Sequence, residues 1–198
     1  MSVSQIFDNT GKIYDKYINF PAPVVIPVKA SMTITNDLAT NVQVIPDGVG
    51  VVESANLSMV DLTTNVPTTF DSTANNNTFR IKKIGRYRFE AFVNCKLNTP
   101  LLDLVIPANT IPISHTIIAQ FFKKVVGGAD VPIGNSSFTS CNLDNVKQLV
   151  LSTIVDVIAV NQEFELGFIA PTVDIELVGF THGLFQLVPF VRVNVYEL

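Results

Sequence analysis

The chain has no tryptophan, two cysteines, two histidines and three methionines in 198 residues. Two cysteines, Cys95 and Cys141, are too few for a disulfide scaffold, so both are expected as small buried hydrophobes. Two histidines, His115 and His182, with no cysteine or acidic cluster beside them at ligand spacing, leave no basis for a metal centre. Charged residues make up only 15% of the chain, where about a quarter is ordinary. A surface this poor in charge suggests partial cover by copies of the same chain or by a partner. The balance of charge is −4, with 13 basic against 17 acidic residues, which argues against a partner held through nucleic-acid phosphates and against an anionic membrane. No apolar run approaches the ~20 residues of a membrane-spanning helix. The N-terminal twenty residues lack the charged region and apolar run of a secretory signal, so none is expected. Three Asn-x-Ser/Thr sites, at Asn56, Asn76 and Asn135, are near chance in a chain this rich in asparagine.

What is abundant is apolar residues, 47% of the total with 14 phenylalanines, and they alternate. The clearest stretch runs from Thr78 to Lys96. Phe79, Ile81 and Lys83 share one side of a first strand, with Arg80 and Lys82 opposite. After Ile84-Gly85, Tyr87, Phe89, Ala91, Val93 and Cys95 form one face, while Arg86, Arg88, Glu90, Asn94 and Lys96 form the other, with Phe92 the apolar exception. A period of two places one face on a core and one on solvent, and Gly85 sits where the chain must be re-aimed. Other strands are expected around Met32–Ile34, Val42–Ile45, Leu57–Leu62, Ile117–Phe122, Leu149–Val157, Glu163–Ile169, Val173–Leu177 and Phe190–Tyr196. Val66–Asp71 reads as extended, and Gly127–Asp130 reads as a hairpin turn. Val146–Val160 could carry a helical stripe, but its β-branched residues favour a strand. Segments 100–112 and 130–146 read as long connections of the Greek-key kind. The expected fold is all-β: an antiparallel sandwich of the jelly-roll type over residues 23–198, preceded by an N-terminal arm over 1–22.

The stretch Thr68–Asn94, with its polar loop followed by Gly85-Arg86-Tyr87-Arg88-Phe89, resembles the C1q/TNF-like jelly roll. The apolar closing strand Phe190–Leu198 does so as well. Between them, His115–Ile133 resembles that family's strand, lysine and glycine turn, and Val157–Phe168 its following strand, with Asn161-Gln162 where Gly-Asp is usual. The resemblance covers roughly residues 55–198. It makes Gly85, Tyr87 and Phe89 fold-defining and implies a trimer packed about a three-fold axis by apolar strands.

Catalytic chemistry finds little support. Ser114, His115 and Asp103 could be combined into a triad, but no nucleophile elbow accompanies them. Asp174 and Glu176 share a strand face and read as solvated acids rather than a glycosidase pair. Lys82, Lys83, Arg86 and Arg88 form the one basic cluster, which reads as a solvated face. No enzyme, cofactor or metal is expected. Interaction is the better-founded reading, because Ile13, Tyr14, Tyr17, Ile18 and Phe20 in the arm, with Phe190 and Tyr196 near the C-terminus, exceed what one core requires. The expected function is that of a non-enzymatic structural protein of a virus particle (capsid, penton, spike or cementing component). It would be made in the host cytoplasm, assemble as a homo-oligomer, trimeric or alternatively pentameric, and dock on other virion proteins. The alternatives are a C1q/TNF-like receptor- or glycan-binding module and a jelly-roll carbohydrate-active enzyme.

Overall fold

The computed structural model describes residues 29–36, 42–48, 52–57, 63–72, 77–98, 115–141, 145–181 and 187–198. The described strands are β1 Ser31–Thr35, β2 Val42–Ile45, β3 Glu53–Ser54, β4 Thr63–Thr64, β5 Phe70–Ser72, β6 Thr78–Ile81, β7 Gly85–Leu97, β8 His115–Lys123, β9 Val131–Cys141, β10 Lys147–Val157, β11 Gln162–Ile169, β12 Ile175–Val178, β13 Phe180–Thr181, β14 Leu187–Val188 and β15 Val191–Glu197. None of the described residues is helical.

Two antiparallel sheets form a jelly-roll sandwich. One runs β2-β12-β7-β15-β1-β4 and adds β10 along the opposite edge of β7; the other runs β5-β6-β11-β8-β9, with β3 also on β11. Strand β7 is the spine of the first sheet. Its one edge pairs with β10 from Gly85↔Val157 to Cys95↔Lys147, and its other edge takes β15 and then β12 end to end. The second sheet is closed on the same side, because β9 runs along β10. There Ser137 Oγ donates to the Val150 carbonyl at 2.9 Å. Gly134 also approaches so closely that a Cβ would lie 2.1 Å from Thr153 Oγ1.

The alternation of β7 sets the core. Tyr87, Phe89, Ala91, Val93 and Cys95 are all fully buried. Phe89 meets Phe79, Phe121 and Phe164 edge-on, with ring centres 5.4, 5.4 and 5.1 Å apart. Those rings come from β6, β8 and β11, so one aromatic cluster joins the sheets. Edge-to-face pairs of this kind add about 0.5–1.5 kcal/mol each beyond area burial. Tyr87 is held by a different device. Its hydroxyl donates to the Lys83 carbonyl at 3.0 Å, just ahead of the strand, and its ring lies 3.3 Å from where a Gly85 Cβ would sit. A side chain at residue 85 would therefore press on the Tyr87 ring, which would have to give by a few tenths of an ångström. Burial, assisted by the charge of Glu197, pushes the Tyr87 phenol up to about 12.

Several expectations are corrected. Segment 130–146 is not a long connection: Val131–Cys141 is a strand paired with β8, with a bulge between Ala119 and Phe121. Its sequence is polar because most of it is exposed, so backbone pairing rather than an apolar face holds it. Residues 66–71 are not extended throughout, because Pro67–Thr69 turns before β5. Leu57 is buried outside any strand, the rest of the strand expected over Leu57–Leu62 lies outside the described residues, and Glu53–Ser54 form a short strand that was not expected. Residues 100–112 lie outside the described residues. The strands at Ser31–Thr35 and Val42–Ile45 pair with β15 and β12. The sandwich thus begins well before residue 55.

Candidate interaction surface

The residues that could have carried chemistry are each occupied separately. His115 Nδ1 lies 2.9 Å from Thr172 Oγ1. Asp174 Oδ1 accepts from the Asp47 backbone N–H at 2.8 Å, whereas Glu176 pairs with Lys96 at 3.0 Å, so the two acids answer different partners. Among the described residues, no group of three or more His, Cys, Asp or Glu side chains is placed to hold a metal. Ser114, Asp103 and His182 lie outside the described residues. The basic cluster is neutralised locally. Lys82 pairs with Asp71, Lys83 with Glu197, Arg86 with Asp156 and Arg88 with Glu90. Arg88 also lies over the Tyr196 ring, 5.3 Å from its centre.

The outward face of the first sheet is organised in rows set by register. Val150 on β10 stands opposite Phe92 on β7, which stands opposite Arg192 on β15. Two steps along, Ile154, Arg88 and Tyr196 form the matching row. Phe92 and Tyr196 are half-buried in the single subunit, while Val150 and Ile154 are exposed. Phe138 lies across the seam on β9 of the second sheet, opposite Ile118 of β8 and one residue from the Ser137–Val150 bond, with 73% of its surface in water. Five apolar side chains thus lie on one face and its β9–β10 margin. An exposed phenylalanine among such neighbours marks a surface suited to a partner.

The expected interface residues divide. Tyr196 belongs to this face. Phe190 does not: it is fully buried where the chain bends into β15, and Asn94 N–H is held by its carbonyl at 2.8 Å, so the core of one subunit already uses it. Ile13, Tyr14, Tyr17, Ile18 and Phe20 lie outside the described residues. The chain enters the described fold at Lys29, whose Nζ donates to the Leu198 carbonyl at 2.6 Å. Backbone bonds from Glu197 to Ala30 and from Leu198 to Arg86, both 2.8 Å, fix that point beside β15 and the start of β7. Sequence reasoning missed Phe138, Val150 and Ile154. Phe138 falls in the segment whose sequence reads as a connection, and Val150 and Ile154 occupy the outward positions of β10, which the alternation does not single out.

No family model matches the chain, and no curated protein matches it in sequence. Solved structures do match in shape. Eiger TNF from S. frugiperda aligns with a TM-score of 0.55 at 7% identity, over 87% of this chain and 94% of that one. Murine APRIL at pH 5.0 aligns with a TM-score of 0.52 at 7% identity, over 86% of this chain and 100% of that one. At these identities the likeness concerns architecture, and the architecture of this chain is a TNF-like jelly roll.

Proposed function

We propose that this chain is a non-enzymatic structural protein of a virus particle, made in the host cytoplasm, that assembles as a homotrimer and docks on other virion proteins through the arm over residues 1–22. The observation that carries the assembly reading is the apolar margin Phe138, Val150 and Ile154 beside the outward face bearing Phe92 and Tyr196. The β10 margin and the β7–β15 part of this face are neighbouring patches of one side of the subunit. Packing the margin of one copy on the face of the next is a heterologous contact, which closes into a ring when the rotation allows. The local neutralisation of Arg86, Arg88 and Glu90 lowers the cost of burying that face. The low charge, the richness in asparagine and threonine and the aromatic arm support a particle component.

The test is the solution mass of the full chain by light scattering, beside a chain lacking residues 1–22 and the double variant Phe138→Ser/Ile154→Ser. Three times the 21.6 kDa chain mass, retained without the arm and lost in the double variant, is the expected result. A monomeric full chain overturns the assembly reading. The rival is a receptor- or glycan-binding module built on the same TNF-like fold. Saturable binding to a glycan array or cell surface, with no incorporation of the chain into purified particles, would decide for it.

A further inference from the structure

The two cysteines stand together, although 46 residues separate them in sequence. Cys95 Sγ and Cys141 Sγ are 3.2 Å apart, both thiols are free, and both residues are fully buried. They belong to different sheets. Cys95 lies near the end of β7, opposite Lys147 of β10 and Leu177 of β12, while Cys141 ends β9, opposite His115 of β8. A disulfide has its sulfurs about 2.05 Å apart, so closing this gap takes a shift of about 1.2 Å, within reach of small side-chain rotations. The rest of the core does not require the pairing, since either sulfur alone would fill its site as a small hydrophobe.

We propose that Cys95 and Cys141 form a redox-modifiable dithiol that closes into a disulfide between the two sheets when the chain meets a low-molecular-weight disulfide. The two thiols are not equivalent. The Cys141 thiol donates to Cys95 Sγ at 3.2 Å, while the Cys95 thiol donates to the Lys147 carbonyl at 3.6 Å, and the contact with Cys141 together with burial pushes Cys95 up. Cys141 is shifted down chiefly by its contact with Cys95, against burial and with help from the charge of Lys147. Cys141, at the very end of β9, is the thiol placed to attack first once that end opens and it ionises. It attacks one sulfur of the small disulfide, forms a mixed disulfide and releases one small thiolate. Cys95, giving up its proton to solvent, then attacks the Cys141 sulfur and displaces the second. The chain loses two hydrogens, and the small disulfide is reduced to two thiols. Because both sulfurs are buried, the first attack waits on opening of the β9 end. Exchange is slow in the closed sandwich and accelerates under conditions that loosen that end.

The experiment uses the full chain, purified under reductant and incubated with glutathione disulfide, with and without low urea to promote local opening. Three readings are taken: thiol titration after denaturation, intact mass, and peptide mapping. The expected result is a fall from two thiols to none, a mass lower by about 2 Da, and one cross-linked peptide joining Cys95 to Cys141. The melting temperature should then rise by roughly 5–10 °C and return on reduction. Cys95→Ala and Cys141→Ala should each abolish that rise and leave one thiol or one persistent glutathione adduct. Two titratable thiols after exposure in low urea, or an adduct in the unmodified chain that never resolves, would overturn the proposal. A mapped bond with unchanged melting would overturn its role as a clamp between the native sheets. The thiol count and the map need no variant, so a misfolded cysteine mutant does not obscure the answer.

Discussion

Strands β10 and β11 follow one another in sequence and lie in opposite sheets, yet they meet water differently. In β11, Phe164, Glu165, Leu166, Gly167 and Phe168 are buried in unbroken succession. Its outward side is covered by the chain itself. The β3 segment pairs along it, and a Cβ on Gly167 would lie 2.5 Å from Val52 and 2.8 Å from Phe122. Even its buried carboxylate is provided for, since Glu165 accepts from Ser54 Oγ at 2.8 Å and from Lys124 Nζ at 3.1 Å. In β10, by contrast, Leu149, Leu151, Val155 and Val157 are buried while Val150 and Ile154 face outward and remain exposed. One strand is covered on both sides by its own chain, and the other leaves apolar side chains in water. The covered residues belong to the fold, and the exposed ones are those that the proposed assembly would bury.

The comparison can be broken first at the shared aromatic cluster. Phe164→Ala removes the β11 ring that meets both Phe89 and Phe79, and should cost about 3–5 kcal/mol in urea unfolding. A loss under about 1 kcal/mol would mean that the sheets are not joined there. Next comes the seam between β9 and β10. Gly134 has φ +67°, and a side chain there would strike Thr153, so Gly134→Ala should cost about 2–3 kcal/mol. Adding Thr153→Ala should recover the steric part and leave the backbone strain; equal losses in the single and double variants would show that β9 does not press on β10.

Ile154→Ser sharpens the contrast from the other side. It should change the unfolding free energy of the separated subunit by no more than about 0.5 kcal/mol, yet weaken self-association at least tenfold in sedimentation. Unaltered association would remove β10 from the interface.

The smallest effects concern pH. A hydrogen bond from Lys124 holds Asp130 below the ordinary carboxylate range despite burial, and one from Lys83 does the same for Glu197. Groups lowered on folding stabilise the fold above their unfolded values and lose that contribution as pH falls through the folded ones. Stability should therefore decline as pH drops below about 4.5, and less steeply in Lys83→Met. Tyr87, raised to about 12, works in the opposite sense: its contribution is complete below pH 10 and is lost as pH rises from 10 toward 12. Tyr87→Phe should flatten that alkaline limb.

Much of the architecture was legible because burial on one side of a strand writes a period of two into the sequence. The face of β7 from Tyr87 to Cys95 and that of β10 from Leu149 to Val157 could be read directly. β9 was hidden for the same reason in reverse: its residues are mostly exposed on both sides, so pairing with β8 leaves no apolar alternation to detect. Phe190 misled because an aromatic residue beside an apolar strand looks the same whether a core or a neighbour receives it.

The all-β class and the inward faces of the long strands are written in the sequence alone, since both follow from local alternation. Only the tertiary structure decided what depends on residues distant along the chain. It brought Cys95 within 3.2 Å of Cys141. It matched Lys83 with Glu197 and Arg86 with Asp156, and it covered β11 while leaving Val150 and Ile154 in water. Such outcomes rest on register and sheet order, which are set by the packing of the whole sandwich and leave no mark in any single segment.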